Sequence, residues 1–243
     1  MANGSTVTQD VYRRLRADLL TCRLAPGEKL RIDALCERLQ AGSSAVREAL
    51  SRLAAENFVV TEHLRGFRVA PILFDELQDL TRVRCQIEEA CIREAIKHGD
   101  VEWEAGVMTT LHRLSKLPMR AEGDPDRYGD AFSLAHTAFH AAVVSACSRP
   151  WLLKTREYLY SQHDRYRWLS MPLATVERDV HGEHTRIANA ALARDADEAA
   201  QAMTDHLKLT AQIILSAAGV AEDGSPATEQ GYPRVQDQPL GPF

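Results

Sequence analysis

The sequence is short of several things that would point to a function class. Its five cysteines (Cys22, Cys36, Cys85, Cys91 and Cys147) are odd in number and lack CxxC spacing, which argues against a disulfide framework and a thiolate zinc knuckle. They read as reduced, mostly buried packing residues. There is no run of about 18 apolar residues, and the opening MANGSTVTQD has neither a basic start nor an apolar stretch. No membrane span or secretory signal is expected, and the chain should be cytoplasmic. HExxH and carboxylate-bridge ExxH motifs are both missing, which removes the usual sequence signs of a metal hydrolase or oxygenase.

An overall basic excess is missing too: 29 Lys and Arg face 34 Asp and Glu, a net charge of −5 over 243 residues. The balance is uneven along the chain. Residues 1–72 carry 11 basic and 8 acidic side chains, net +3, and residues 73–243 carry 18 and 26, net −8. A basic head on an acidic body implies two jobs.

In the head, apolar residues at Val11, Leu15, Leu19 and Leu20 form a helical stripe that Pro26-Gly27 breaks. Leu30, Ala34, Leu35 and Leu39 give a second helix. Ala45, Val46, Ala49, Leu50 and Leu53 give a third, after the break AGSS. Phe58–Thr61 and Phe67–Ala70 read as two strands of a hairpin with Gly66 in its turn region. Three helices and a hairpin make a winged helix-turn-helix.

The short break before the third helix lets that helix enter a major groove. Ser43 and Ser44 can cap it and aim backbone N–H groups at a phosphate, and Arg47 on its first turn can reach guanine or phosphate. Arg52 lies further along, on the DNA backbone or in an internal ion pair. Arg65 and Arg68 flank Gly66 at the wing tip, where a glycine permits close approach to DNA. Any one of these arginines alone reads equally well as a solvated surface residue.

Beyond Pro71 the strand signal disappears, and helical stretches follow at 75–98, 102–117, 128–146, 151–170, 175–193 and 196–218, with one long loop at 118–130. This reads as an antiparallel all-helical bundle over residues 73–218. From Gly219 onward, four of the ten prolines and four of the 13 glycines point to a disordered tail. The fold class is mainly α.

His136 and His140, four apart, project from one helix face and can share a metal. His184 and His206 each lie 11 residues from Asp195 in the turn ARDAD, so in a helical hairpin they stand opposite one another. Four imidazoles from three helices can converge on a borderline divalent ion such as zinc or nickel. Each histidine taken alone is more often a packed or surface residue. His63, His98, His112, His163 and His181 show no comparable geometry, although His181 stands one turn before His184 and can meet a ligand.

The stretch from PGEKL to RGFRV, with Pro26, Gly27, Leu30, Val46, Arg47, Glu48, Ala49, Leu50, Arg52, Leu53, Arg65, Gly66 and Val69, resembles the winged-helix domain of GntR-type bacterial transcription regulators. Relatives usually place Ser/Thr-Arg-Thr-Pro before V-R-E, where this chain has Gly42, Ser43, Ser44 and Ala45. Asp33 stands where some relatives have a helix-two arginine. The operator sequence therefore does not carry over.

The body, through TRVRCQIEEACIREAI, HTAFH and EHTRIANAALARDADEAAQAMTDHL, resembles the all-helical FCD ligand-binding domain of the FadR-like subfamily. The resemblance implies a metal beside a small carboxylate effector, with His140, His184 and His206 as ligands and His136 in place of the usual Asp. It also implies Arg84 as the partner of the effector carboxylate, the alternative being a salt bridge to Glu88, with Arg165 and Arg167 as weaker candidates.

The leading expectation is a ligand-responsive repressor that binds a palindromic operator as a homodimer and is not an enzyme. The alternatives are a metal-dependent enzyme built on the same histidines, or a regulator whose metal is structural or is itself the signal. A modest +3 also predicts weak, salt-sensitive binding by a single head, so dimerisation is part of the functional expectation.

Overall fold

The computed structural model describes residues 6–62, 66–173, 178–217 and Gly219. Arg65 and the expected tail from 220 onward lie outside the described residues. The chain divides into two compact units, one up to Leu73 and the other from Phe74 onward.

The first unit begins with α1 (Val7–Leu20), whose N-cap Thr6 accepts a hydrogen bond from the Gln9 amide. β1 (Lys29–Leu30), α2 (Ile32–Leu39), α3 (Ser43–Ala55), β2 (Val59–Glu62) and β3 (Gly66–Val69) follow. The sheet order is β1-β3-β2, antiparallel throughout, with Val59 opposite Val69 and Leu30 opposite Phe67. The apolar stripes read from the sequence meet in one core, where Val11, Leu15 and Leu19 of α1 join Leu35, Leu39, Val46, Leu50, Leu53, Phe58 and Val69. Two positive-φ glycines shape the connections: Gly27 (φ +78°) turns the chain into β1, and Gly66 (φ +96°) opens β3.

The second unit is a helical bundle of α4 (Phe74–His98), α5 (Val101–Ser115), α6 (Asp130–Val143), α7 (Pro150–Leu173), α8 (Val180–Leu192) and α9 (Ala196–Ala217). α4 packs on α7 and α9, α8 pairs with α9 as a hairpin, and α5 packs on α6. Asp100 and Asp179 cap α5 and α8 by accepting from Trp103 N–H and Gly182 N–H. The Trp103 indole donates to the Val143 carbonyl at 3.1 Å and ties α5 to the end of α6.

One sequence expectation fails here. The 118–130 segment is not a plain loop but holds a small hairpin, β4 (Arg120–Ala121) and β5 (Asp124–Tyr128), turning at Gly123 (φ +77°). Its anchor is tertiary: Tyr128 is buried against Phe132 and Trp168, a contact that local strand propensity does not report. Among the described residues, no helix is long and apolar enough to cross a membrane.

Candidate metal centre and nucleic-acid interface

The four histidines singled out by spacing come together. His136 and His140 lie on α6, His184 on α8 and His206 on α9, all buried, and one ring nitrogen from each falls within 4.8 Å of all the others. His140 Nε2 lies 3.2 Å from His136 Nε2 and 3.3 Å from His184 Nε2. The His184 and His206 rings, from opposite arms of the α8–α9 hairpin, have centroids 4.7 Å apart.

The outward nitrogens fix which way the rings present their lone pairs. His206 Nδ1 lies 2.7 Å from Glu183 Oε2, so it donates there and leaves Nε2 as the bare nitrogen. The Tyr160 hydroxyl donates to Thr137 Oγ1, so its oxygen is free to accept from His136 Nδ1 at 3.3 Å, which again leaves Nε2 bare. Inward-facing lone pairs at this spacing repel one another unless a cation lies between them. The fit to such a cation is good: nitrogens about 2.05 Å from a tetrahedral ion stand about 3.3 Å from one another.

Burial lowers the pKa values of all four histidines, helped at His136, His140 and His184 by repulsion from neighbouring histidines and at His206 by Arg178 and Arg84, so the interior favours the neutral ring that ligates metal. For His206 the hydrogen bond to Glu183 opposes the burial effect. Burial pushes the Glu183 carboxyl up, but hydrogen bonds from His206 and Arg178 outweigh it and hold the group at about 2. Burial, with Asp164 nearby, pushes the Tyr160 phenol up to about 12, so it remains a donor to Thr137.

A guanidinium layer surrounds the cluster. Glu88, fully buried, is shared by Arg84 (Nη2 at 3.3 Å) and Arg156 (Nε at 2.8 Å), and Arg156 also donates to the His140 carbonyl at 2.8 Å. Arg84 thus makes the salt bridge weighed as its alternative role, and its guanidinium lies 4.7 Å from the Tyr160 ring centroid. Arg165 and Arg167 are buried on α7, with Arg167 donating to Asp164 at 2.6 Å. The spacing argument missed His163. It is buried on α7, within electrostatic reach of Arg84, His206 and Arg167, and burial lowers its pKa as well. A lone histidine without a spaced partner gave no signal in the sequence. His181, one turn before His184, lies within electrostatic reach of it and helps to lower its pKa, and a surface hollow of about 680 Å3 beside Glu94 and Trp151 contains none of these residues.

In the first unit, Ser43, Ser44 and Arg47 come together, exposed, on the first turn of α3. The capping expectation is corrected: Gly42 is the N-cap and makes no side-chain hydrogen bond, which places Ser43 and Ser44 inside the helix with the N–H groups of its first turn open. Arg52 lies about 140° around the helix from Arg47, five residues at 100° each. Its guanidinium lies 4.2 Å from the Tyr12 ring centroid and donates to Gln9 at 3.0 Å, so it joins α3 to α1. Arg68 donates to Glu62 and to the Gly27 carbonyl within the sheet. Gly66 opens β3, and its neighbour Arg65 lies outside the described residues.

The sequence matches the FCD domain family over residues 79–209 and the family of bacterial regulatory proteins, gntR family, over residues 7–69. The chain belongs to the GntR family of transcription regulators. Two GntR-type relatives match across both units. The HTH-type transcriptional repressor GlaR of Escherichia coli is 38% identical over 217 residues, covering 87% of this chain and 98% of its own. The uncharacterized HTH-type transcriptional regulator BphR of Paraburkholderia xenovorans is 37% identical over 214 residues, covering 88% and 87%. Among solved structures, E. coli McbR/YncC aligns with a TM-score of 0.70 at 19% identity, over 87% of this chain and 98% of that one. A putative GntR regulator from Rhodococcus sp. RHA1 aligns at 0.69 and 20% identity, over 86% and 98%. Both structures share the fold of a GntR regulator with an N-terminal winged helix.

Proposed function

We propose that this GntR regulator is a ligand-responsive repressor that binds operator DNA as a homodimer through Ser43, Ser44, Arg47, Arg65 and Gly66. In this reading the bundle holds a divalent ion through His136, His140, His184 and His206 and a small carboxylate effector through Arg84. The observation that carries it is the set of four buried imidazoles, two of them held by outer partners with Nε2 turned inward. An all-nitrogen set favours zinc or nickel over harder ions, and nickel leaves room for two further oxygen donors. The ion, when bound, would supply a positive centre for an effector carboxylate. Glu183 holds His206, Tyr160 holds His136, and Arg84 keeps an unused N–H beside the cluster for the effector. Repression as the sign of control is supported by the similarity to GlaR, a transcriptional repressor. Effector binding would change the separation of the two heads, so that it no longer matches half-sites about 34 Å apart.

A second reading, with a purely structural ion, draws on the same geometry, because four protein nitrogens complete a closed tetrahedral site. One experiment separates the two. Metal content is measured on the purified protein, and operator binding is then followed by mobility shift with the metal loaded, with the metal chelated, and with a panel of organic acids. The proposal requires about one zinc or nickel per chain and release of DNA by at least one acid in the loaded protein only. Release by none of the acids, with metal still raising the melting temperature, favours the structural ion. A chain that takes up neither metal overturns the site assignment.

A further inference from the structure

The outer side of α5 and α6, turned away from the bundle interior, is apolar. Val101 (74% exposed), Met108 (58%) and Leu134 (75%) stand open to solvent, with exposed Ala105, Ala138 and Ala141 between them. The two helices lie antiparallel, since Trp103 near the start of α5 donates to the carbonyl of Val143 at the end of α6, so these side chains share one surface. Beyond Asp130, the described residues of α6 expose no ionisable group. A joined apolar patch of this kind marks a surface that another molecule covers.

Two charges on α5 indicate what that molecule is. Val101, Ala105, Met108 and His112 recur at four- and three-residue steps and form the outermost stripe of the helix. Glu102 and Arg113 are exposed beside the stripe, and neither side chain forms an ion pair among the described residues. Eleven residues separate them, three full turns, so they occupy one flank of the helix about 16 Å apart. They also stand equally far from the midpoint between Val107 and Met108. Opposite charges at mirrored positions on one flank are complementary to themselves. When a second α5 packs antiparallel against the first about a two-fold axis at that midpoint, each Glu102 faces the partner's Arg113, and the apolar stripes lie against each other. A parallel approach would set like charges opposite one another instead.

We infer that a second copy of this chain docks on the α5–α6 face, with α5 antiparallel to the partner's α5 about a two-fold axis near Met108, burying Val101, Met108 and Leu134 and pairing Glu102 with the partner's Arg113. This rests on the homodimer reading above and assigns the surface and the register by which the two bundles meet. The inner side of α6 carries His136 and His140, so the contact between copies and two of the four clustered imidazoles share one helix.

The test follows the full-length chain by sedimentation over a range of concentrations at low ionic strength. Met108→Glu should raise the dimer dissociation constant about tenfold or more, because it buries two carboxylates at the axis. Glu102→Arg and Arg113→Glu should each weaken the dimer about threefold or more by setting like charges opposite one another, and the two combined should return it to within about twofold of the unaltered chain. That recovery is the decisive readout, since a merely structural role for either side chain does not produce it. Trp151→Glu, an equally exposed position on α7, serves as the comparison and should leave the dimer intact. A dimer that Met108→Glu leaves unchanged, single reversals that the combination does not repair, or dissociation by Trp151→Glu alone overturns this face while the homodimer reading stands. A monomeric unaltered chain overturns both. The charge series decides the matter even if Met108→Glu fails to fold.

Discussion

At the scale of single residues, the site is controlled as much by the groups behind the imidazoles as by the imidazoles themselves. Glu183 accepts from His206 and from Arg178 and has no inward role of its own. Glu183→Gln should leave helicity intact and weaken zinc binding roughly 10- to 100-fold, measured by competition with a chromophoric chelator. An unchanged affinity would show that Glu183 does not orient the ring. The metal-free protein should also be acid-sensitive in a defined window. His136, His140, His163, His184 and His206 all titrate below their ordinary value in the fold because burial opposes their charge. The unfolded chain takes up protons near pH 6.5 while the folded interior does not. Stability present above that pH is therefore lost as the pH falls through it, and the denaturant midpoint should drop between pH 7.5 and 5.5; a flat midpoint would contradict the burial argument. The four clustered histidines were legible in the sequence because helical periodicity and the symmetry of a hairpin turn are arithmetic. His163 was not, since α7 is buried on several sides and its spacing singles out no face, and Arg167 came only as a weaker candidate through the family resemblance.

At the scale of the element, the proposed function has α3 separate recognition from packing. Arg47 is exposed on its first turn, and Arg52 is tied to Tyr12 and Gln9. Arg47→Ala should cost about 1–3 kcal/mol of operator binding with little change in melting temperature. Arg52→Ala should chiefly lower the melting temperature, through a lost cation–π contact of about 0.5–1 kcal/mol. Calorimetry and mobility shift on both variants check the pair, and the reverse pattern would exchange the two roles. The helices themselves were readable because their apolar stripes bury together, from Val11 and Leu15 to Leu50 and Leu53. The start of α3 was misread because serine is a better capping residue than glycine in general, yet here Gly42 occupies the cap. The β4–β5 hairpin escaped notice because Tyr128 packs not only on nearby Phe132 but also on Trp168, 40 residues away in sequence.

At the scale of the whole molecule, charge is partitioned by task. The net +3 of residues 1–72 is small for a DNA ligand, and in the proposed function specific affinity comes from two heads acting together. Sedimentation at micromolar concentration should give a species of twice 27.1 kDa. Operator affinity of the full chain should fall steeply with salt, as counterion release requires. A monomeric species that binds the palindrome as tightly as a single half-site would remove dimerisation from the mechanism.

The turn between α8 and α9 carries one more implication. Arg194 adopts a left-handed conformation (φ +60°) there, and its guanidinium binds the carbonyls of Ile96 and Gly99 and the Glu104 carboxylate. The hairpin is thereby pinned at its tip to the α4–α5 corner, and the rotational phase of both arms is set from one point. Each residue inserted or deleted within either arm, between that tip and His184 or His206, turns one imidazole by about 100° away from the others. The length of this stretch is thus as much a ligand-setting property as its composition, and drift among related chains should be freer in amino-acid identity here than in residue count.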